Sequence, residues 1–523
     1  MATNVWCGHL KQVNSMGATV QSIISGGSSG TIVDIECYLS NNLPNIVIVG
    51  SANKSVDESR ERIRGAFATS RIILPRKRVI INLAPADVPK SDSSFDMAIA
   101  VAILLADGQV TTGIDRSQAF IGELGLDGSV RAVRGIIGKL ITGRSAGIKT
   151  FYIPADNLDQ AQLVPNVSLV AIDHLGQLHG HLVGGLTLKT VATGQGQYQP
   201  VQANRDSNEP RLSEIVGQLQ AKRALEIAAA GGHNVLFSGP PGTGKSMLAK
   251  ALPSILPQLT REEVLEVTQI HSLASHDYDK IMSVRPFRSP HHSASHIAMV
   301  GGGNRLKPGE ISLAHRGVLF LDELPEFGRD TLEALRQPLE DHVISLARAN
   351  DRSEYPASFS LIATANPCPC GYHGISDDCH CLPYEMTRYR NRLSGPILDR
   401  IDIYCEVHGV DHDKLFDQKT DDSSDAKTRQ RVLDTRKLQA QRYDNPTKLN
   451  SHMSRADVRQ FGHLESEATS IINAAAKNLR LSARGHIRTV RVARTIADLD
   501  NSAAVTAAHI NEALAYCKDR FRR

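Results

Sequence analysis

The chain has little of what would tie it to a special environment. Of its 523 residues only 5% are aromatic, one is tryptophan (Trp6), eight are cysteine, and the net charge is +4. So small an excess of positive charge, on a chain this size, names no polyanionic partner by itself. The longest apolar run, residues 97–106, is closed off by Asp96 and Asp107 and falls far short of the roughly 20 residues that cross a bilayer. Residues 1–10 hold no basic stretch followed by an apolar one, which argues against a secretory signal. A cytoplasmic location with no membrane partner is therefore expected. No short tandem repeat argues for a solenoid. What is present is an ordinary soluble composition, 41% hydrophobic and 22% charged, long enough for roughly three folded units.

Strand-like runs at 46–49, 79–82 and 149–153 alternate with helical patterns at 57–68 and 95–105, so residues 1–190 read as an α/β domain. Residues 191–210 include TGQGQYQPVQANRDSNE, which has no apolar period and predicts an interdomain linker. A second α/β block follows over 211–408. Residues 409–523 are mainly helical, with Ala-rich periodic stretches at 467–479 and 488–499. The acidic, Ser-containing stretch 417–425 predicts a loop ahead of them.

Residues 234–238 (NVLFS) have a buried-strand pattern and run straight into Gly239-Pro240-Pro241-Gly242-Thr243-Gly244-Lys245-Ser246, then a helix. This is the complete G-x-x-x-x-G-K-[ST] loop in its strand-loop-helix setting. The glycines let backbone N–H groups turn in around phosphates, the helix N-terminus adds positive potential, and Lys245 brings a mobile charge to the β and γ positions. Ser246 offers Mg²⁺ a hydroxyl. Residues 318–321 form a second apolar strand ending in Asp322-Glu323. A carboxylate there suits Mg²⁺, and its neighbour can polarise an attacking water. A third run, 361–364, leads to Ala365-Asn366, whose amide can hold the same water; a simple cap before Pro367 is the alternative. ATP and Mg²⁺ are the cofactors this constellation predicts.

Half of the cysteines crowd into Cys368-Pro-Cys370, eight residues, then Cys379-His-Cys381. Four clustered thiolates in a cytoplasmic chain suit a structural Zn²⁺ in an insert at 366–383, although each pair has one intervening residue where about two to four are usual. His373 and His380 leave room for a Cys/His mixture. Free thiols and redox pairing remain alternatives. Cys7, Cys37, Cys405 and Cys517 are scattered and read as packed.

GPPGTGKS at 239, GVLFLDELPEF at 317, LIATANPCPCG at 361, SGPILDRID at 394 and RTVRVARTIADL at 488 together resemble the magnesium-chelatase-like AAA+ family, in particular its competence-protein group. The resemblance covers nearly the whole chain. It implies an AAA+ P-loop ATPase core with a C-terminal helical lid, assembled as a homohexamer with ATP sites between subunits. It also implies a helicase that extends branches when imported DNA recombines in natural transformation, with single-stranded and branched DNA and recombination proteins as partners. By motif, Arg400 is the expected arginine finger and Arg491 the expected second sensor, with Arg484, Arg488 and Arg494 as rivals to the latter. An Arg supplied in trans contributes about 10³ to 10⁵ in rate.

The stretch RPFRSPHHSASHIAMVGGGNRLKPGE (285–310) lengthens the approach to Asp322, and glycines 301–303 are expected at a flexible tip facing a pore. Residues 343–363 resemble the hairpin that precedes the first sensor. Lys307, Arg348 and Arg352 are the candidate DNA contacts, able to track a phosphate backbone without reading sequence, and solvated loop charge is the competing reading. His291, His292 and His296 have no nearby Cys and are expected in structural or nucleic-acid roles rather than on a metal.

Residues 75–155 resemble the proteolytic domain of Lon-type proteases, a ribosomal S5 domain 2-like fold, through VPKSDSSFDMAIAVAIL (88–104) and GELGLDGSVRAVRGIIGKLITGRSAGIKTFYIP (122–154). The alignment puts Ser94 at the nucleophile position but Ile137 where the activating lysine belongs, with Lys139 two residues further on. A serine without its base predicts no peptidase activity. The competing functional class is a chelatase-type remodelling ATPase acting on a protein partner.

Overall fold

The computed structural model describes residues 18–517 apart from 27–28, 51–53, 86–92, 111–112, 195–209, 275–279, 304–305, 349–350, 374–378, 410–421 and 480. It divides into two compact units, Met1–Tyr198 with His271–Ile281, and Gln199–Ile270 with Met282–Arg523.

The first unit is built on an eight-stranded mixed sheet in the order Thr190–Ala192, Ser168–Ile172, Thr150–Pro154, Gln118–Phe120, Ala18–Gly26, Ser29–Ser40, Arg78–Ala84, Asn45–Val49. Its middle is a long antiparallel hairpin, paired from Ala18 against Cys37 to Gly26 against Ser29. The helix Asp96–Ala106 is apolar on every face, and residues 97–104 are all fully buried. A helix with no polar side belongs inside a core. Its one charge, Asp96, is also buried, and Arg62 meets it with two hydrogen bonds, from Nε at 2.7 Å and Nη2 at 3.2 Å. Burial pushes the Asp96 carboxyl up and the Arg62 guanidinium pulls against that. Ser94, Ile137 and Lys139 are fully buried, and Ser94 Oγ donates to the Ile23 carbonyl at 3.3 Å. That hydroxyl therefore lies within the core of the unit.

The second unit contains an all-parallel five-stranded sheet, ordered Phe287–Arg288, Val318–Leu321, Ser360–Ala365, Val235–Ser238, Ile403–Glu406. Strands covered on both faces need no polar side, which is why residues 318–321 and 235–237 are unbroken apolar runs. Loops at the carboxyl ends of such strands are where α/β sheets place ligands. The helices Asp422–Tyr443, Ser466–Asn478, Ala483–Leu499 and Ala507–Ala515 complete the unit. They are tied to the helix Leu219–Gly231 by polar anchors as well as apolar packing. Arg436 donates to the Ala229 carbonyl through Nη2 at 2.6 Å, and Gln439 Nε2 to the Ala230 carbonyl at 3.1 Å.

The mixed α/β class with a helical C-terminal region is thus as the sequence indicates. The loop expected over 417–425 is corrected at its far end, because helix Asp422–Tyr443 begins inside it; residues 417–421 lie outside the described ones. Acidic residues are favourable in a first helical turn, where N–H dipoles point outward. Asp425 is buried there and accepts from Ser254 Oγ at 3.4 Å.

Candidate nucleotide site and cysteine centre

The phosphate loop joins Val235–Ser238 to the helix Lys245–Ile255. Two of its glycines have distinct physical reasons. A Cβ on Gly239 would lie 2.2 Å from the Val407 carbonyl oxygen, so the loop can pass the neighbouring strand only without a side chain. Gly244 caps the helix at φ +86°, a left-handed conformation that costs glycine nothing. Lys245 is buried, and Nζ donates to the carbonyls of Gly239 (2.7 Å) and Pro240 (2.6 Å) and to Asn366 Oδ1 (3.3 Å). Burial lowers its pKa, and the charges of Asp322 and Glu323 partly restore it.

Asp322 and Glu323 follow the second strand of the sheet. Ser246 Oγ donates to Asp322 Oδ2 at 3.0 Å, bringing the serine and the aspartate expected at Mg²⁺ together. Sequence reasoning missed Thr364. This fully buried residue donates to Asp322 Oδ1 at 2.5 Å and accepts the Glu323 N–H at 2.8 Å, so one hydroxyl orients both acidic positions. The only available signal was a hydroxyl inside an otherwise apolar strand. Glu323 sits at φ +54°, a region a non-glycine residue occupies at a cost of about 1–3 kcal/mol and which concentrates at functional sites.

Arg400 and Arg491 lie elsewhere in the unit. Both line a cavity of about 770 Å³ together with Arg484, Arg488, Glu340 and His342, and no residue of 239–246 lines it. Arg400 is ion-paired through Nη2 with the exposed Glu340 and donates from Nη1 to the Pro396 carbonyl at 2.7 Å. The four candidates for second sensor are sorted by their surroundings. Arg494 is locked against Asp498 at 2.7 Å, and Arg488 donates to the Ile401 carbonyl at 2.9 Å. Arg484 is exposed, 3.7 Å from Glu340. Arg491 donates through Nη2 to the Met453 carbonyl, and its buried Nε, like that of Arg400, has no hydrogen-bond partner among the described residues.

The four clustered cysteines come together. Sγ of Cys368 lies 3.3 Å from that of Cys370 and 3.8 Å from that of Cys379, Cys370 and Cys379 are 3.6 Å apart, and all four sulfurs including Cys381 fall within 4.8 Å of one another. Tetrahedral bonds of about 2.3 Å put sulfurs roughly 3.8 Å apart, so this donor set fits zinc. Among the described residues no other His, Cys, Asp or Glu group has such spacing. The remaining candidates are on paired hairpins. Gly301–Gly302 pairs with Lys307–Pro308, and Val343–Arg348 with Asp351–Pro356. Tyr355 Oη of the second donates to the Leu306 carbonyl of the first at 2.7 Å. Lys307 and Arg352 are exposed; the Arg348 side chain lies outside the described residues.

A phosphate loop on an inner strand of a parallel sheet, two acids at the end of the next strand but one along the sheet, and a helical lid define a P-loop ATPase core of the AAA+ class. Family models described as "Magnesium chelatase, subunit ChlI", "Subunit ChlI of Mg-chelatase" and "Magnesium chelatase, subunit ChlI C-terminal" match residues 211–415, 35–157 and 422–517. The chain is 42% identical over 491 residues to the uncharacterized protein YifB of Escherichia coli (strain K12), covering 94% of this chain and 95% of that one. It is 39% identical over 504 residues to the competence protein ComM of Haemophilus influenzae, covering 95% and 97%. The magnesium-chelatase 38 kDa subunit of Rhodobacter capsulatus is 24% identical over 333 residues, 57% of this chain and 84% of that subunit. The chain belongs to the magnesium-chelatase-like AAA+ family, in the group of YifB and ComM.

Proposed function

We propose that the chain is the ATP-hydrolysing subunit of a hexameric ring that drives branched DNA through strand exchange. The observation that carries the reading is the separation of two half-sites. Lys245, Ser246, Asp322, Glu323 and Asn366 gather at the phosphate loop, whereas Arg400 and Arg491 line another cavity, each with a buried Nε that has no hydrogen-bond partner among the described residues. A second copy completes the chemistry when its arginines meet the phosphates held by the first.

In this mechanism Lys245 and the loop amides bind the β- and γ-phosphates, and Ser246 and Asp322 hold Mg²⁺. When bound, that ion neutralises charge on the phosphate oxygens. Glu323 polarises the attacking water, Asn366 orients it, and the neighbour's Arg400 and Arg491 stabilise charge on the group in transfer. Zn²⁺ on Cys368, Cys370, Cys379 and Cys381 is structural. Exposed Lys307 and Arg352, with Arg348, contact DNA backbone. The name of the Haemophilus relative, a competence protein, supports a role in natural transformation; a cytoplasmic location and recombination proteins as partners complete the proposal.

The test is a labelled three-stranded junction incubated with the protein and ATP. Branch extension dependent on Lys245, together with ATP turnover stimulated by DNA, is expected. An unchanged junction and turnover indifferent to DNA would sink the DNA reading. They would favour remodelling of a protein partner, the alternative supported by similarity to the chelatase subunit.

A further inference from the structure

The cysteine cluster is braced on the ATP site. Cys368 follows Asn366 by two residues, and Asn366 Oδ1 accepts from Lys245 Nζ at 3.3 Å. On the other side, Gly371 presses against the phosphate loop: at φ +89°, a Cβ added to it would lie 2.6 Å from Pro241 Cδ and 3.3 Å from Cγ. Between these two contacts the chain wraps around one sulfur. The Gly371 N–H donates to the Cys368 carbonyl at 3.0 Å, and the His373 N–H to Cys368 Sγ at 3.4 Å. Cys368 is fully buried while Cys370 is exposed, so the cluster spans from the interior to the surface directly beside residues 240 and 241.

We propose that the four cysteines, joined by one zinc ion, form a strut that fixes the phosphate loop and Asn366 relative to each other. Zinc occupancy then sets nucleotide affinity and turnover. The proposal rests on the ATPase reading of residues 239–246. Four thiols at these distances attract one another only weakly, whereas a tetrahedral metal fixes all four positions and with them the turn that carries Gly371. Without the ion, Gly371 loses its fixed place against Pro241, and Asn366 keeps its strand and its contact with Lys245 but loses the brace on its carboxyl side. The cysteines and Gly371 are positioning residues; none is required to touch nucleotide.

The test uses the full chain, with zinc measured per subunit and affinity read with a fluorescent ADP analogue. Wild type is expected to carry about one zinc per subunit, as a closed four-thiolate site requires. Cys381→Ser should lose it and bind the analogue at least about tenfold more weakly, since a displacement of about 1 Å at a site can cost that much or more. Gly371→Ala keeps every ligand and should retain zinc, yet it should weaken binding in the same direction because its Cβ must displace Pro241. Thermal melting of each variant separates loss of fold from loss of affinity. If Cys381→Ser does not fold, zinc titrated into chelator-stripped wild type reads the same quantity, and affinity must rise in step with occupancy. Unchanged affinity in zinc-free folded protein, or in Gly371→Ala, overturns the strut while leaving the ATPase reading intact. Wild type that neither carries nor takes up zinc also overturns it. Wild type with zinc but no affinity for the analogue defeats the ATPase reading itself.

Discussion

On the proposed reading, Lys245 and Glu323, close in space, have separable tasks. Lys245→Ala removes the charge that neutralises phosphate, so nucleotide binding should be lost. Glu323→Gln keeps the shape of the site and removes the base, so the analogue should bind normally while turnover falls by about 10² to 10⁴. Near-normal turnover in Glu323→Gln would mean the base is misassigned. Thr364 acts one step behind them. Its hydroxyl is shared between Asp322 Oδ1 and the Glu323 N–H, and valine has the same shape with neither capacity. Thr364→Val should therefore retain nucleotide binding and lose about 10- to 100-fold in turnover, the usual scale for a partner that orients a metal ligand. Equal turnover in Thr364→Val and wild type would show that the acids hold themselves in place. The phosphate loop and both acids were legible in the sequence because their spacing is local. Thr364 was not, because a hydroxyl on one strand gains its role only when Val318–Leu321 is paired beside it.

Among the elements, the helix Asp96–Ala106 of the first unit depends most on one distant residue. Arg62 reaches Asp96 from the helix Lys54–Thr69, and removing it would leave a carboxylate buried with its main charge partner gone. Breaking a buried pair in this way costs about 3–5 kcal/mol. Arg62→Ala should accordingly lower the melting transition of the first unit while nucleotide binding by the second persists; an unshifted melt would mean the carboxyl is accommodated without its partner. The apolar run at 97–106 made the helix legible from sequence, but nothing in or near that run points to Arg62, which comes from a separate helix. Elements with a single strong period or an unbroken apolar run were readable. The hairpin Ala18–Gly26 and Ser29–Ser40 was not singled out, because its Ser, Thr and Gly content dilutes the strand pattern and its pairing to Arg78–Ala84 is not local. Likewise, the start of Asp422–Tyr443 was masked by acidic and serine residues that suit a loop and a helix N-terminus equally well.

For the whole molecule, the decisive question is whether one chain can hydrolyse ATP alone. Sequence comparison could nominate Arg400 but not say what restrains it, since its partner Glu340 lies 60 residues away and meets it only in the folded unit. Arg400→Ala should bind nucleotide normally, because its own phosphate loop is intact, and hydrolyse it slowly, by about 10³-fold or more if the trans role holds. Lys245→Ala has the opposite defect: no working loop, but a sound finger. Mixed under conditions where subunits exchange, the two inactive variants should recover part of the wild-type rate. Each productive interface then places Arg400 of a Lys245→Ala subunit against the loop of an Arg400→Ala subunit. Catalysis confined to one subunit gives no recovery at any mixing ratio. Full activity in Arg400→Ala alone would remove the trans role and return the residue to its ion pair with Glu340 within one subunit.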